Sequence, residues 1–250
     1  MIQQFAQWVI QYAGYLLEIV LLGALFRSQV RKRNIPLIAY VISFFVMDAV
    51  ARPYALYHFG LNSKQYADCY WITDVLLVLA AFLLICFLFR RASKGNEELW
   101  SYLRMMLPAV FVVTAFISAY SLSLHYDHLF TRFIVGLQQN LFFACLILNT
   151  LLYVMLQYLE NPDEELNLVV CGMGIALAGP AAGLALMYLT PGGQDAGVLY
   201  GLVTPFCNLG VFALWLFAVT RPASAQRVFS PENDRVRTPA FAEIPLQGIR

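Results

Sequence analysis

Seven apolar runs, at residues 5–26, 35–57, 66–89, 102–124, 130–158, 166–189 and 197–220, constrain this chain more than anything else in it. Each exceeds the roughly 18 apolar residues that mark a helix crossing a bilayer core of about 30 Å. With 60% hydrophobic and only 12% charged residues, a water-soluble fold of 250 residues could not cover so much apolar surface, because such surfaces need far more charge. A mean hydropathy of +0.66 points the same way. The expected fold class is an all-α membrane protein, a bundle of seven transmembrane helices. The second run is the weakest of the set, since it carries Asp48 and Arg52; without it six crossings would remain.

The distribution of charge sets the expected orientation. Arg27, Arg31, Lys32 and Arg33 follow the first run, Arg90, Arg91 and Lys94 the third, and Arg221, Arg227, Arg235, Arg237 and Arg250 the seventh. The alternate loops hold Lys64, with Arg52 and Arg132 near that face. Basic residues collect on the cytoplasmic side of membrane proteins, so the N-terminus is expected outside and the C-terminus in the cytoplasm. Glu160, Asp163, Glu164 and Glu165 lie on the inner side with no base among them, but acids count little in this rule. The basic cluster comes after the first run rather than before it, which reads as an uncleaved anchor and not a signal peptide. Short loops favour a bacterial plasma (inner) membrane as the location.

The domain reading is a seven-helix transmembrane domain over 1–221 and a disordered cytoplasmic tail over 222–250, where Pro222, Pro231, Pro239 and Pro245 alternate with scattered charge. The five cysteines form no C-x-x-C pair and read as small buried apolar residues. Aromatic residues near the run ends, among them Tyr12, Tyr57, Tyr70, Trp71, Trp100 and Tyr102, suit an interfacial belt. The sixth run is rich in small residues: Gly179 and Gly183 are four apart, as are Ala178 and Ala182. Such a face lets a neighbouring backbone approach closely. Pro180 and Pro205 interrupt the helix bonding of the sixth and seventh runs.

Ionisable and amide groups inside a bilayer are costly, so each is a functional candidate. Glu18, Asp48 and Asp74 fall in the first three runs; the fifth adds Gln138, Gln139 and Asn140, and the seventh Asn208. At 1.5 Å per residue Glu18 lies about 20 Å from the outer end, and the others about 12–16 Å. Asp48 and Arg52, four apart with the acid first, share a helix face. Glu18, Asp48, Arg52, Asp74, Gln139, Asn140 and Asn208 are the ligand-binding or proton-coupling candidates. They are expected in one layer from mid-membrane towards the outer face, either stapling helices together or lining a pocket. A buried carboxylate without a cation nearby could load a proton.

The histidines, His58, His125 and His128, all lie on the outer side, with Asp127 completing an H-x-D-H string. Imidazole and carboxylate suit zinc, copper or nickel, yet the spacing matches no recognised site. No metal and no cofactor are therefore expected, with His58, His125, Asp127 and His128 the set to examine first. Lys32, Lys64 and Lys94 lie in loops, which removes a retinal Schiff base and with it a light-driven rhodopsin. There is no H-E-x-x-H and no phosphate-cradling glycine loop, so no enzymatic activity is expected.

At the first basic boundary, Leu17-Glu18, Arg27, Arg31-Lys32-Arg33-Asn34-Ile35-Pro36 and Tyr40 form a pattern. It resembles a loose set of uncharacterised bacterial seven-helix integral membrane proteins, with an acid in helix 1 and a basic cluster before a proline. The resemblance covers the N-terminal part, residues 1–90, and implies topology alone.

The functional expectation is a non-enzymatic sensory or ligand-binding membrane module that acts through a partner. The expected partners are the lipid bilayer, a cytoplasmic or membrane protein docking on the tail or the acidic inner loop, and a small polar ligand; no nucleic acid is expected. The alternatives are a small-solute or proton-coupled transporter using Glu18, Asp48 and Asp74, and a membrane assembly or scaffold protein.

Overall fold

The computed structural model describes residues 2–27, 33–60, 63–94, 96–123, 129–158, 163–189 and 194–221, with side chains left undescribed at 2–8, 121–123, 129–133, 135, 180, 181, 183–189, 194–202 and 204. Residues Met1–Thr220 form one compact unit and Arg221–Arg250 a second, whose residues after Arg221 lie outside the described set, as does the expected tail. Among the described residues all regular structure is helical, in seven helices. These are α1 (Ile2–Leu25), α2 (Ile35–Phe59), α3 (Lys64–Ala92), α4 (Glu97–Ser123), α5 (Leu129–Tyr158), α6 (Glu164–Leu189) and α7 (Gln194–Thr220). They coincide with the seven apolar runs. Lys64 opens α3 rather than lying in a loop, though still at the helix end.

Polar residues begin and end the helices. The Ser63 hydroxyl accepts from Tyr66 N at 3.1 Å to start α3, Asn96 accepts from Leu99 N at 3.0 Å to start α4, and Asp163 accepts from Leu166 N at 3.2 Å to start α6. Each side chain satisfies a backbone donor that the first turn leaves free. Gly60, at φ 75°, ends α2 in the left-handed conformation that favours glycine.

The second run, weakest by sequence, is a complete helix with a wide turn inside it. Val46–Ala51 are π-helical, and the Arg52 N–H bonds Met47 O, five residues back. Pro53 explains the turn: it has no N–H to donate, and its ring would meet the carbonyl four residues earlier. Widening the preceding turn relieves that clash and keeps the rod continuous.

By length and composition, Ile35–Phe59, Lys64–Ala92, Glu97–Tyr120 and Gly136–Tyr158 can each cross a membrane. Val9–Leu25 and Pro205–Thr220 are shorter apolar stretches. These four helices mark the chain as a membrane protein. Their outer faces agree: on α4, Met105, Val112, Phe116 and Tyr120 are exposed, while Leu103, Leu107, Thr114 and Ser118, at helical spacing, face inward. In water that outer face would be untenable.

Helix α1 packs along α7 and α2, α2 along α3, α3 along α5, α5 along α6, and α6 along α7, so six helices close a ring; α4 lies against α5 outside it. Small residues set the α6–α7 contact. A Cβ at Gly172 would stand 2.3 Å from Trp215 Nε1, and one at Gly179 would stand 2.6 Å from Cys207 Sγ. Trp215 is fully buried, donates to Val169 O at 3.1 Å and meets Tyr40 and Phe212 edge-on. The close face is thus Gly172 with Gly179, seven apart, while Ala178 and Ala182 point outward. Of the cysteines, Cys145 is buried as expected, but Cys171 is exposed.

Candidate functional site

Two polar networks hold the α2–α3 pair near opposite ends. The first contains the Asp48–Arg52 pair that the sequence spacing indicates. Arg52 Nη1 donates to Asp48 Oδ1 at 3.2 Å, its Nη2 pairs with Asp74 Oδ1 on α3, and its Nε donates to Thr73 Oγ1 at 3.3 Å. The Thr73 hydroxyl passes its own proton to Tyr70 O at 2.8 Å. The Tyr70 ring lies 4.5 Å from Arg52 Cζ, a cation–π contact on the flat face of the guanidinium. Gln138 from α5 donates to Asp74 Oδ2 at 2.9 Å. Helices α2 and α3 therefore meet on Arg52, the residue that follows the π turn, and α5 joins through Asp74.

Electrostatically the cluster is unbalanced. Two carboxylates share one guanidinium, leaving a formal charge of −1. It is also not sealed: the side chains of Asp48, Asp74 and Arg52 are 31%, 21% and 19% exposed. Asp48 has one partner in the cluster, where Asp74 has two. A cation or hydrogen-bond donor reaching this cluster would meet Asp48 first.

The other candidates separate from it. Gln139, the residue next to Gln138, is exposed, and Asn140 turns to α4, donating to Ser118 Oγ at 3.0 Å. Asn208 is half-buried on α7. Glu18 is fully inside the bundle, 1% exposed, and its Oε1 has no hydrogen-bond partner. Counted along the helices from the end that bears Arg27, Asn34, Arg91 and Tyr158, Glu18 is about 13 Å deep, Asp48 about 21 Å, Asp74 about 25 Å and Gln138 about 30 Å. The carboxamide oxygens of Gln138 and Asn149 on α5 and of Asn167 on α6 are likewise buried without partners.

The second network, at the basic end, is one that sequence reasoning missed. Arg91 at the end of α3 donates twice to Asp163 Oδ2, at 3.1 and 2.7 Å, and once to Asn34 Oδ1 at 3.0 Å. Asn34 donates to Glu165 Oε1 at 2.7 Å, and Arg33 pairs with Glu165 Oε2. Asn34 is buried, and Arg33 is the most open member at 44%. The acids that seemed out of place on the basic side are counter-ions to Arg33 and Arg91. Asp163 and Glu165 are thus paired within the protein. The readable signal was their placement on the wrong side for their charge.

His58 is exposed and meets the Tyr54 ring at a tilt of 52°, with ring centroids 4.4 Å apart; His125, Asp127 and His128 lie outside the described residues. Among the described residues no three His, Cys, Asp or Glu side chains gather as a metal would require. No protein family, no curated protein and no solved structure matches this chain.

Proposed function

We propose that the protein is a non-enzymatic ligand-binding membrane module, with Asp48, Arg52, Asp74 and Gln138 forming a site for a small cationic or polar ligand. One observation carries this reading: two carboxylates share a single guanidinium in a cluster that is still partly open. A purely structural staple gains most when its charges balance, because an uncompensated charge away from water is costly. An excess acid beside an aromatic ring suits an organic cation, drawn by charge and by the ring face. The π turn that holds Asp48 and ends just before Arg52 supports the reading, since such turns recur at functional positions.

In this proposal all seven helices cross a bacterial plasma membrane, with the N-terminus outside and the C-terminus in the cytoplasm. The basic residues gathered at one end support that orientation, and exposed tyrosines towards both ends, Tyr54 and Tyr57 at one and Tyr102 and Tyr158 at the other, support the crossing. The module signals through a partner protein. In a cysteine-free background, an impermeant maleimide added to intact cells should label Lys64→Cys and spare Lys94→Cys; the reverse pattern inverts the topology.

The site is tested by thermal denaturation of the purified protein in detergent against a panel of organic cations and small polar solutes. A ligand-dependent rise in melting temperature, absent in Asp48→Asn and in Asp74→Asn, is expected. Stabilisation that survives both substitutions rejects this site. Flux of the same ligand across proteoliposomes would instead mark a transporter.

A further inference from the structure

We propose that Glu18 is a proton-binding site inside the bundle, its carboxyl carrying a proton in the described state. This goes beyond the ligand-site reading and does not depend on it.

The argument starts from what surrounds the side chain. Glu18 ranks among the largest fully buried side chains, in company with Leu21, Leu25 and Trp215. No hydrogen bond and no ion pair to it is found among the described residues, and Oε1 is enclosed and unpaired. The charge that acts on it is another carboxylate, Asp48 on α2. The remaining titratable groups in reach are Tyr15 on its own helix, Tyr40 on α2, and Cys145 on α5 beyond Tyr40. Helix α7, also packed on α1, offers Cys207 as its titratable group among the described side chains. No arginine or lysine is among these neighbours.

An ionised carboxylate in such a setting would be desolvated, unpaired and beside a like charge, each of which is expensive. Two occupants could relieve it: a metal cation or a proton. Alkali and alkaline-earth ions need several oxygen ligands, and among the described residues no three His, Cys, Asp or Glu side chains gather to supply them. A proton needs one oxygen and leaves the group neutral.

The test is infrared spectroscopy of the lipid-reconstituted protein at neutral pH, read at the carbonyl stretch of protonated carboxyl groups. The wild type should show a protonated-carboxyl band that shifts on exchange into deuterated water and is lost in Glu18→Gln. The band should remain in Asp48→Asn and be indifferent to replacing sodium with a large organic cation. Absence of any such band in the wild type overturns the proposal without recourse to a variant. So does a band that persists in Glu18→Gln, or one that sodium removes, which would make the occupant a metal ion.

Discussion

Replacing Gly172 with alanine should separate α6 from α7, and the cost can be worked out from contacts. The new Cβ would stand 2.3 Å from Trp215 Nε1 and 2.8 Å from its Cδ1, where ordinary contact begins at about 3.5 Å. One helix must therefore retreat by roughly 1 Å, or the indole must turn. Turning is blocked, because the fully buried ring is held by its bond to Val169 O and by edge contacts with Tyr40 and Phe212. Overpacking of this kind costs about 1–3 kcal/mol. Weakening the indole hydrogen bond adds about 0.5–1.5 kcal/mol. Alanine also gains about 1 kcal/mol of helix propensity over glycine, and Gly23→Ala, with nothing within 4 Å of its Cβ, isolates that gain. The difference between the two variants should therefore be about 1.5–4.5 kcal/mol, the propensity terms cancelling. Reversible unfolding in mixed detergent micelles, followed by circular dichroism, measures it. Combining Gly172→Ala with Trp215→Phe should cost less than the sum of the two. Equal stabilities for Gly172→Ala and Gly23→Ala would refute the packing argument.

Three further predictions use the same assay. Gly179→Ala, with Cys207 Sγ at 2.6 Å, should also destabilise, whereas Gly174→Ala, facing the movable Asn149 amide at 3.1 Å, should change stability by less than about 1 kcal/mol. Arg52→Met strands Asp48 and Asp74 and should cost about 1–4 kcal/mol, the partial exposure placing it between a surface and a buried pair; adding Asp74→Asn should recover part of that loss. Arg91→Met and Asp163→Asn should be coupled by about 0.5–3 kcal/mol in a double-mutant cycle, with the coupling shrinking in high salt; additive costs would mean that the Arg91–Asp163 contact contributes nothing.

The helices were legible because each apolar run is long and uniform, and the Asp48–Arg52 pair because partners four apart are set by local geometry alone. Gln138, Gln139 and Asn140 show where that legibility ends. Successive helical residues point about 100° apart, so three adjacent amides address three directions. Only tertiary packing tells that Gln138 meets Asp74, Gln139 leaves the bundle and Asn140 meets Ser118. The basic-end network was hidden for a related reason: Arg91 and Asp163 are 72 residues apart, and Arg33 and Glu165 are 132 apart. The π turn had a signal in Pro53, which the apolar count passed over. On α6 the Ala178–Ala182 pair faces outward, and the glycines serve two neighbours at once, Gly172 and Gly179 facing α7 and Gly174 facing α5.

In lipid, apolar side chains give helices little reason to choose one neighbour over another, so small and polar residues must do the choosing. The two networks divide that task along the same pair of helices. Near one end Arg52 and Gln138 fasten α2 and α3 to α5; at the basic end Arg91 and Asn34 fasten them to α6. These clusters differ in charge. The basic-end network balances two arginines against two acids, as a fastening should. The Asp48–Arg52–Asp74 cluster keeps one acid in excess, and Glu18 is more fully buried, with no cation paired to it among the described residues. An excess acid is thus left at one staple, and an unpaired carboxyl inside the bundle. A protein that needed only to hold seven helices together could have replaced Asp48 and Glu18 with apolar residues at no loss of stability. That surplus is the reason to assign the interior a bound cation or proton and not a purely structural role.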